Sequence, residues 1–434
     1  MNILLINPPI YDFAAYDLWL KPWGLLKISA ILKKAGCNVF FVDALDRHHS
    51  SIKETIEVRP DGTGHFLSSI VKLPEVYKNV PRRYKRYGIS KENLIASFPD
   101  VKIDHVLVSS GMTYWYYGVK EVIGLVKERY DNVPVILGGV YASLCYEHAK
   151  KETGADVVLK NSELNDLSKI LGIAADFSPK EILSTIIDYD WYPNTEYGVI
   201  RLSLGCPFKC VYCAQHLLSP SFMQKTMEDA INEFTYLYNK GIRIFAFYDD
   251  ALFVNTEYIK TFLKKAEKIS DVPLRFYTPN GLHVKYIDEE LASIMKRTGF
   301  KRPVLSLETV DPIKENKWHD KVNRGDFIAA VNNLKNAGYS AKDIMVYMLY
   351  GAPGSSLEEI TKAVEFLHDL GVNISLCEYS PVPGTIMAES MNLTEDPLLQ
   401  NNSTYEHLFL GSHSERQEII DVKNYVKNLN AKLS

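Results

Sequence analysis

Long apolar runs are missing from this sequence. No stretch of its 434 residues approaches the ~18 consecutive apolar positions of a membrane-spanning helix, so no membrane span is expected. An excess of charge is missing too: 49 Lys and Arg stand against 53 Asp and Glu, a net −4, which removes the electrostatic case for nucleic acid as a main partner. Low-complexity tracts and short-period repeats are absent, which excludes solenoids and disordered linkers as the organising theme. The opening MNILLINPPIYD has no basic segment before its apolar run, so no secretory leader and a cytoplasmic location are expected. Cysteine is scarce, at six residues. A disulfide framework needs an even set in an oxidising compartment, and here three cysteines crowd into eight positions.

Those three are what the chain does have. In LSLGCPFKCVYCAQH, Cys206, Cys210 and Cys213 form a C-x3-C-x2-C cluster directly after an apolar strand. Closely spaced thiolates let one loop supply several ligands to an iron–sulfur cluster, and three ligands leave one iron of a four-iron cluster open for chemistry. Zinc is an alternative, with His216 as the fourth ligand, and incidental clustering is another.

The surrounding pattern is α/β. Between 198 and about 386, strand signals at 199–205, 242–250, 274–281, 303–309, 344–351 and 374–381 alternate with helix signals near 222–240, 256–269, 288–298, 325–337 and 356–370. Gly241, Gly299, Gly338 and Gly371 stand just past four of these helices as stops. Six β-α steps give a partial parallel barrel, whose chemistry belongs at the C-terminal strand ends. Candidates there are Tyr248, Asp249 and Asp250, whose carboxylates suit an ammonium group or a turn; Ser306 and Glu308; Gly351; and Arg324, a carboxylate partner or a surface arginine. Cys377 is expected to be a core residue.

Residues 1–165 carry five strand-like runs, at 2–6, 38–43, 105–110, 133–139 and 155–160, with helices between them. They predict a doubly wound, Rossmann-like parallel sheet with its ligand edge at Ser110-Gly111-Met112 and Gly138-Gly139. The glycine pair permits close backbone approach to a ligand or makes a plain tight turn. Residues 46–100 are less regular, and the basic, aromatic run at 80–89 is expected to be a solvated or packing face. Residues 166–197 are a linker, and 387–434 a polar tail whose helix at 414–431 is expected to dock.

CPFKCVYC, with Tyr212 as its aromatic, resembles the signature of the radical S-adenosylmethionine (SAM) superfamily. The resemblance implies that Cys206, Cys210 and Cys213 hold a 4Fe–4S cluster. It further implies that SAM chelates the fourth iron and is cleaved to a 5′-deoxyadenosyl radical. An electron donor such as flavodoxin or ferredoxin and a small-molecule or peptide substrate would follow. Tyr248, Asp249 and Asp250 would meet the SAM amine, Ser306 and Glu308 its ribose and methionyl groups, Arg324 its carboxylate and Gly351 its adenine. The N-terminal layout is similar to the cobalamin-binding domains that precede many radical SAM cores, with Ser110, Met112, Gly138 and Gly139 along the corrinoid tail. The histidine that such domains give to cobalt is replaced here by Asn7-Pro8-Pro9, with Tyr11, Tyr114, Trp115 and Tyr141 as possible covers; Asp46-Arg47-His48 imitates the motif in the wrong place. Methylation of an unactivated carbon is the implied reaction. Radical cyclisation or rearrangement without corrinoid, a cobalamin- or redox-sensing module, and an iron–sulfur electron carrier are the alternatives.

Overall fold

A computed structural model of the chain describes all residues except 54–56, 312, 315–317, 319–321, 392–395, 405–412 and 434. The chain forms two compact units. Unit 1 comprises Met1–Glu196, Leu217–Pro220 and Leu393–Asn401; unit 2 comprises Tyr197–His216, Ser221–Asn392 and Asn402–Ser434.

Unit 1 is built on a five-stranded parallel sheet. Its strands are β1 (Asn2–Asn7), β2 (Asn38–Asp43), β3 (His105–Ser110), β4 (Val135–Gly138) and β5 (Val157–Val158), in the spatial order β5-β4-β3-β1-β2. The run ILLI is buried throughout because β1 is central, with Leu4 in register between Phe40 and Val106. A strand covered on both faces needs a continuous apolar run rather than an alternating one. The order reverses at β1, so the crevice for ligands lies beyond the carboxyl ends of β1 and β3. Helix α1 (Trp23–Lys34) buries Leu25, Leu26, Ile31 and Leu32, at the helical spacing seen in the sequence. The linker packs on this helix: Ser29 Oγ donates to Asp188 at 2.6 Å and Trp191 Nε1 to Ser29 Oγ at 2.9 Å. Helix α2 (Tyr116–Arg129) follows β3.

The irregular stretch 46–100 contains structure that its sequence does not announce. Residues 85–87 pair antiparallel with 10–12 on one side and 68–70 on the other. The basic run is divided accordingly. Arg86 is buried, bridged to Glu121 at 2.6 Å, whereas Arg82 lies over the Phe13 ring. At Arg86 the segment is therefore a packing face and not a solvated one, because a carboxylate from α2 offsets its desolvation.

Unit 2 has two three-stranded parallel sheets. One is β6 (Gly198–Ile200), β7 (Ile244–Phe247) and β8 (Arg275–Tyr277); the other is β9 (Val304–Leu307), β10 (Met345–Tyr350) and β11 (Asn373–Glu378). A bridge between Leu282 and Leu305 links them, so the six strands follow one another as a partial barrel. The intervening helices are α3 (Met227–Asn239), α4 (Thr256–Ile269), α5 (Glu289–Thr298), α6 (Arg324–Asn336) and α7 (Leu357–Asp369). Each starts where a Thr, Asn, Asp, Asn or Ser side chain accepts an N–H of the first turn. Four of them are followed by the expected glycines at positive φ. Phe234, Phe245, Phe247, Phe262, Phe276 and Phe300 fill the space between strands and helices.

The first strand of this unit is shorter than the apolar run suggests. After β6 the chain pairs 203–204 antiparallel with 223–224, so α3 starts at Met227 and not at 222. The tail helix α8 (His413–Ala431) docks: Asn430 gives its amide to the backbone of the edge strand at Ile374, accepting at 2.9 Å and donating at 2.8 Å.

Candidate functional site

Residues 205–214 run without helix or strand between the short hairpin and the turn at Gln215. None of the three cysteines of this loop is in a disulfide; Cys210 is buried, Cys206 and Cys213 half-buried. The Cys213 N–H donates to the Cys210 carbonyl at 3.0 Å, and the Gln215 N–H points at the Cys213 sulfur at 3.5 Å. Val211 packs in a cluster with Ala352, Tyr379 and Met387, with Tyr212 against it; the Met387 N–H donates to the Val211 carbonyl at 3.0 Å. Ala352 and Tyr379 lie just past the ends of β10 and β11. On the other flank Phe208 stacks on His283, with ring centroids 4.9 Å apart, in the segment after β8. The cysteine loop therefore lies across the carboxyl ends of the strands. Among the described residues, no three His, Cys, Asp or Glu side chains are grouped as they would be around a single metal ion.

Tyr212, the aromatic of the motif, has its hydroxyl beside Glu308 and Cys210. Burial, then the negative neighbours, push it well above the usual tyrosine range. Glu308 is half-buried past the end of β9, and Ser306 sits on β9 opposite Tyr347. Gly351 follows β10 at φ +76°.

The end of β7 is occupied differently from what an ammonium site requires. Tyr248 pairs through its N–H with Ile200 O at 2.9 Å. Asp249 is buried, and its carboxylate accepts from the Leu202 N–H at 3.0 Å and Ser203 Oγ at 2.6 Å. Burial pushes its pKa up to about 6, against the lowering effect of those bonds. Asp250 pairs with Arg201 and accepts from Gln215 Nε2 at 2.8 Å. Burial raises its pKa too, and Arg201 opposes the rise. Arg324 is exposed at the first turn of α6, its guanidinium 4.4 Å from the Phe366 ring centre on α7. Gln215 and Arg201 are the residues that sequence reasoning passed over; their position just outside the cysteine run was the available signal.

In unit 1 the proposed ligand edge is largely engaged by its own groups. Ser110 Oγ donates to the Met112 carbonyl at 2.9 Å. Gly139 has φ +88°, and a Cβ there would lie 2.4 Å from Ser109 Oγ and 2.8 Å from the Ser110 carbonyl. Its close approach is thus to the neighbouring strand end. Gly138 has nothing nearer than 4.0 Å in that direction, and Met112 is exposed. Of the aromatic candidates, Tyr11 bonds Glu121, Trp115 Nε1 donates to Asp12 at 2.9 Å, and Tyr114 and Tyr141 are buried. His48 Nε2 lies 2.6 Å from a Glu196 carboxylate oxygen. The segment ending at Asn401 closes over this region: Asn401 Nδ2 donates to Asp12 at 2.9 Å, Tyr77 donates to the Leu398 carbonyl at 2.6 Å, and Gln400 meets Cys145 at 3.6 Å.

Comparison with known proteins agrees with this anatomy. Residues 200–367 match the profile of the Radical SAM superfamily. An uncharacterized methyltransferase of Pyrococcus horikoshii is 23% identical over 317 residues, covering 63% of this chain and 66% of that protein. The anaerobic magnesium-protoporphyrin IX monomethyl ester cyclase of a Synechocystis strain is 22% identical over 349 residues, covering 72% of this chain and 62% of the cyclase. The chain thus spans just under two thirds of the length of these curated relatives. The solved structure of the radical SAM methyltransferase TsrM from Kitasatospora setae, with cobalamin and a [4Fe-4S] cluster bound, superposes with a TM-score of 0.65 at 16% identity, over 89% of this chain and 77% of TsrM. No helix among the described residues is long and apolar enough to cross a membrane. The matched region contains the cysteine loop, so the similarity to the Radical SAM superfamily falls on the residues that carry the motif.

Proposed function

We propose that the chain is a cobalamin-dependent radical SAM methyltransferase. The observation that carries this reading is the cysteine loop lying across the carboxyl ends of the strands, within the region that matches the superfamily. Cys206, Cys210 and Cys213 would hold a 4Fe–4S cluster, which together with SAM supplies reductive cleavage to a 5′-deoxyadenosyl radical. The donor set suits it: three cysteines outside any disulfide on one loop, one sulfur already facing a backbone N–H, and no tight single-ion cage among the described residues. A tetrahedral zinc with bonds of about 2.3 Å would need its ligands drawn close together, whereas a cluster gives each thiolate its own iron. Gly351 and the half-buried Ser306 and Glu308 would be the strand-end groups for SAM itself. Glu308 also orders the loop through Tyr212.

Cobalamin would supply a methyl carrier, and the likeness in fold to TsrM over both units supports it. The groups free to line it in unit 1 are Met112 and the open face of Gly138. Anaerobic purification with hydroxocobalamin, followed by desalting, tests this: a stoichiometric corrinoid spectrum is expected. Complete loss on desalting would overturn the corrinoid part. Cyclisation or rearrangement without bound corrinoid is the second reading, and the similarity to the cyclase over 72% of the chain supports its cyclisation part alone. An external electron donor and a small-molecule or peptide substrate complete the proposal.

A further inference from the structure

Asp249 and Asp250, adjacent at the end of β7, together accept hydrogen bonds from Arg201, Leu202, Ser203, Gly205 and Gln215. The division between them is informative. Asp249 fixes the strand end, through Leu202 and Ser203. Asp250 reaches past it: its carboxylate accepts from the Gln215 amide at 2.8 Å and pairs with the Arg201 guanidinium, with the Gly205 N–H facing it. Gly205 immediately precedes Cys206, and Gln215 is two residues beyond Cys213. The Arg201 Nε also donates to the Ser203 carbonyl at 3.1 Å, so the cation that pairs with Asp250 is itself fastened to the start of the loop.

We infer that Asp250 is a positioning residue for the cysteine loop, one carboxylate holding both of its ends. The inference rests on the reading that these cysteines carry the cluster. Nine residues without helix or strand separate the two anchors, and each residue that must be fixed opposes order by about 1–2 kcal/mol. Tying both ends to one group sets where the ligand run starts and stops. The link to sulfur is short: Asp250 orients Gln215, whose N–H faces the Cys213 sulfur at 3.5 Å. Three donors fill most of the roughly four acceptor sites of a carboxylate, leaving little for an ammonium ligand. Arg201 offsets the cost of burying the charge, a role that a site for a neutralising ligand would not need to fill in advance.

The experiment uses the full chain, reconstituted anaerobically with iron and sulfide. Wild type, Asp250→Asn, Gln215→Ala and the double variant are compared for iron content, rate of iron loss to a chelator, the electron paramagnetic resonance spectrum of the reduced cluster with and without SAM, and SAM affinity. Asp250→Asn is expected to lose iron about ten-fold faster or more, the scale seen when a group that orients a metal ligand is removed. Its SAM-free spectrum is expected to shift. Gln215→Ala should act in the same direction, and the double variant should fall short of the sum. SAM affinity of the clusters that remain is expected to match wild type. Wild-type iron retention and an unchanged SAM-free spectrum in Asp250→Asn, with SAM affinity alone reduced, would make Asp250 an ammonium-binding group and overturn the inference. If Asp250→Asn does not fold, Gln215→Ala decides: iron loss at the wild-type rate overturns the clamp. A wild-type chain that takes up no cluster overturns the cluster reading itself, and the clamp with it.

Discussion

Each unit sets an aspartate at a strand end among donor groups, Asp12 buried and Asp250 half-buried. In unit 1, Asp12 accepts from Trp115 Nε1, Asn401 Nδ2 and the Phe13 N–H, all neutral. In unit 2, Asp250 accepts from Gln215 and Gly205 and is paired with the cation of Arg201. The surroundings differ as much as the donors. Around Asp12 the chain brings in Leu398, Gln400 and Asn401, all buried, and closes the edge with its own residues. Around Asp250 it holds a loop whose Cys206 and Cys213 stay half-exposed. The same residue type thus seals one strand edge and props another open, and the sequence neighbours of the donors, aromatic in one case and cysteine in the other, tell which.

That contrast can be broken or sharpened by four measurements. The largest effect belongs to Cys213→Ala, which should abolish the intact cluster and SAM cleavage while leaving urea unfolding of unit 1 unchanged; retained cluster absorbance and SAM cleavage would sink the assignment. Next is Gly139→Ala, where a side chain at φ +88° would press on Ser109 and Ser110. Roughly 4 kcal/mol of lost stability is expected in urea melts, and a near-neutral outcome would mean that this edge is more open than described. Third is pH. Asp249 has its pKa raised from 3.8 to about 6, so the protonated form favours the fold, fully below pH ~4 and less as pH rises through 6. Stability should fall by roughly 3 kcal/mol across that window, and Asp249→Asn should remove this part of the slope. The smallest is Met112→Ala on the exposed lip of unit 1, expected within about 0.5 kcal/mol of wild type. Any loss of corrinoid retention in that variant is then an effect on binding and not on folding.

Much of this was legible because it is local. Apolar runs, the caps Thr226, Asn255, Asp288, Asn323 and Ser356, and the glycines after the helices all speak within a few residues, and the units follow from them. The cysteine loop is legible for the same reason. Pairings between distant residues were not. The strand at 68–70 is exposed at every position and carries no periodic signal, so only its pairing with 85–87 makes it a strand. Arg86 looks solvated until Glu121, 35 positions away, is placed beside it. Asp249 and Asp250 look like an acidic pair waiting for a cation because their donors are 35 to 49 residues distant in the chain. Read from the sequence as an ammonium site or a turn, they have partners that only tertiary structure supplies.

The return of the chain to unit 1 at residues 396–401 bears on modularity. A fragment ending at Glu196 keeps every strand of the parallel sheet and still lacks part of its own unit. Asp12 would lose one of its three donors, and the Tyr77 hydroxyl would lose the Leu398 carbonyl, both at buried positions. An unmade buried hydrogen bond costs about 1–3 kcal/mol, and two of them consume a large share of a domain's margin. Gene fission or domain shuffling at the apparent boundary would therefore release an incomplete half. A cut meant to separate the units must therefore follow three segments of chain for each of them.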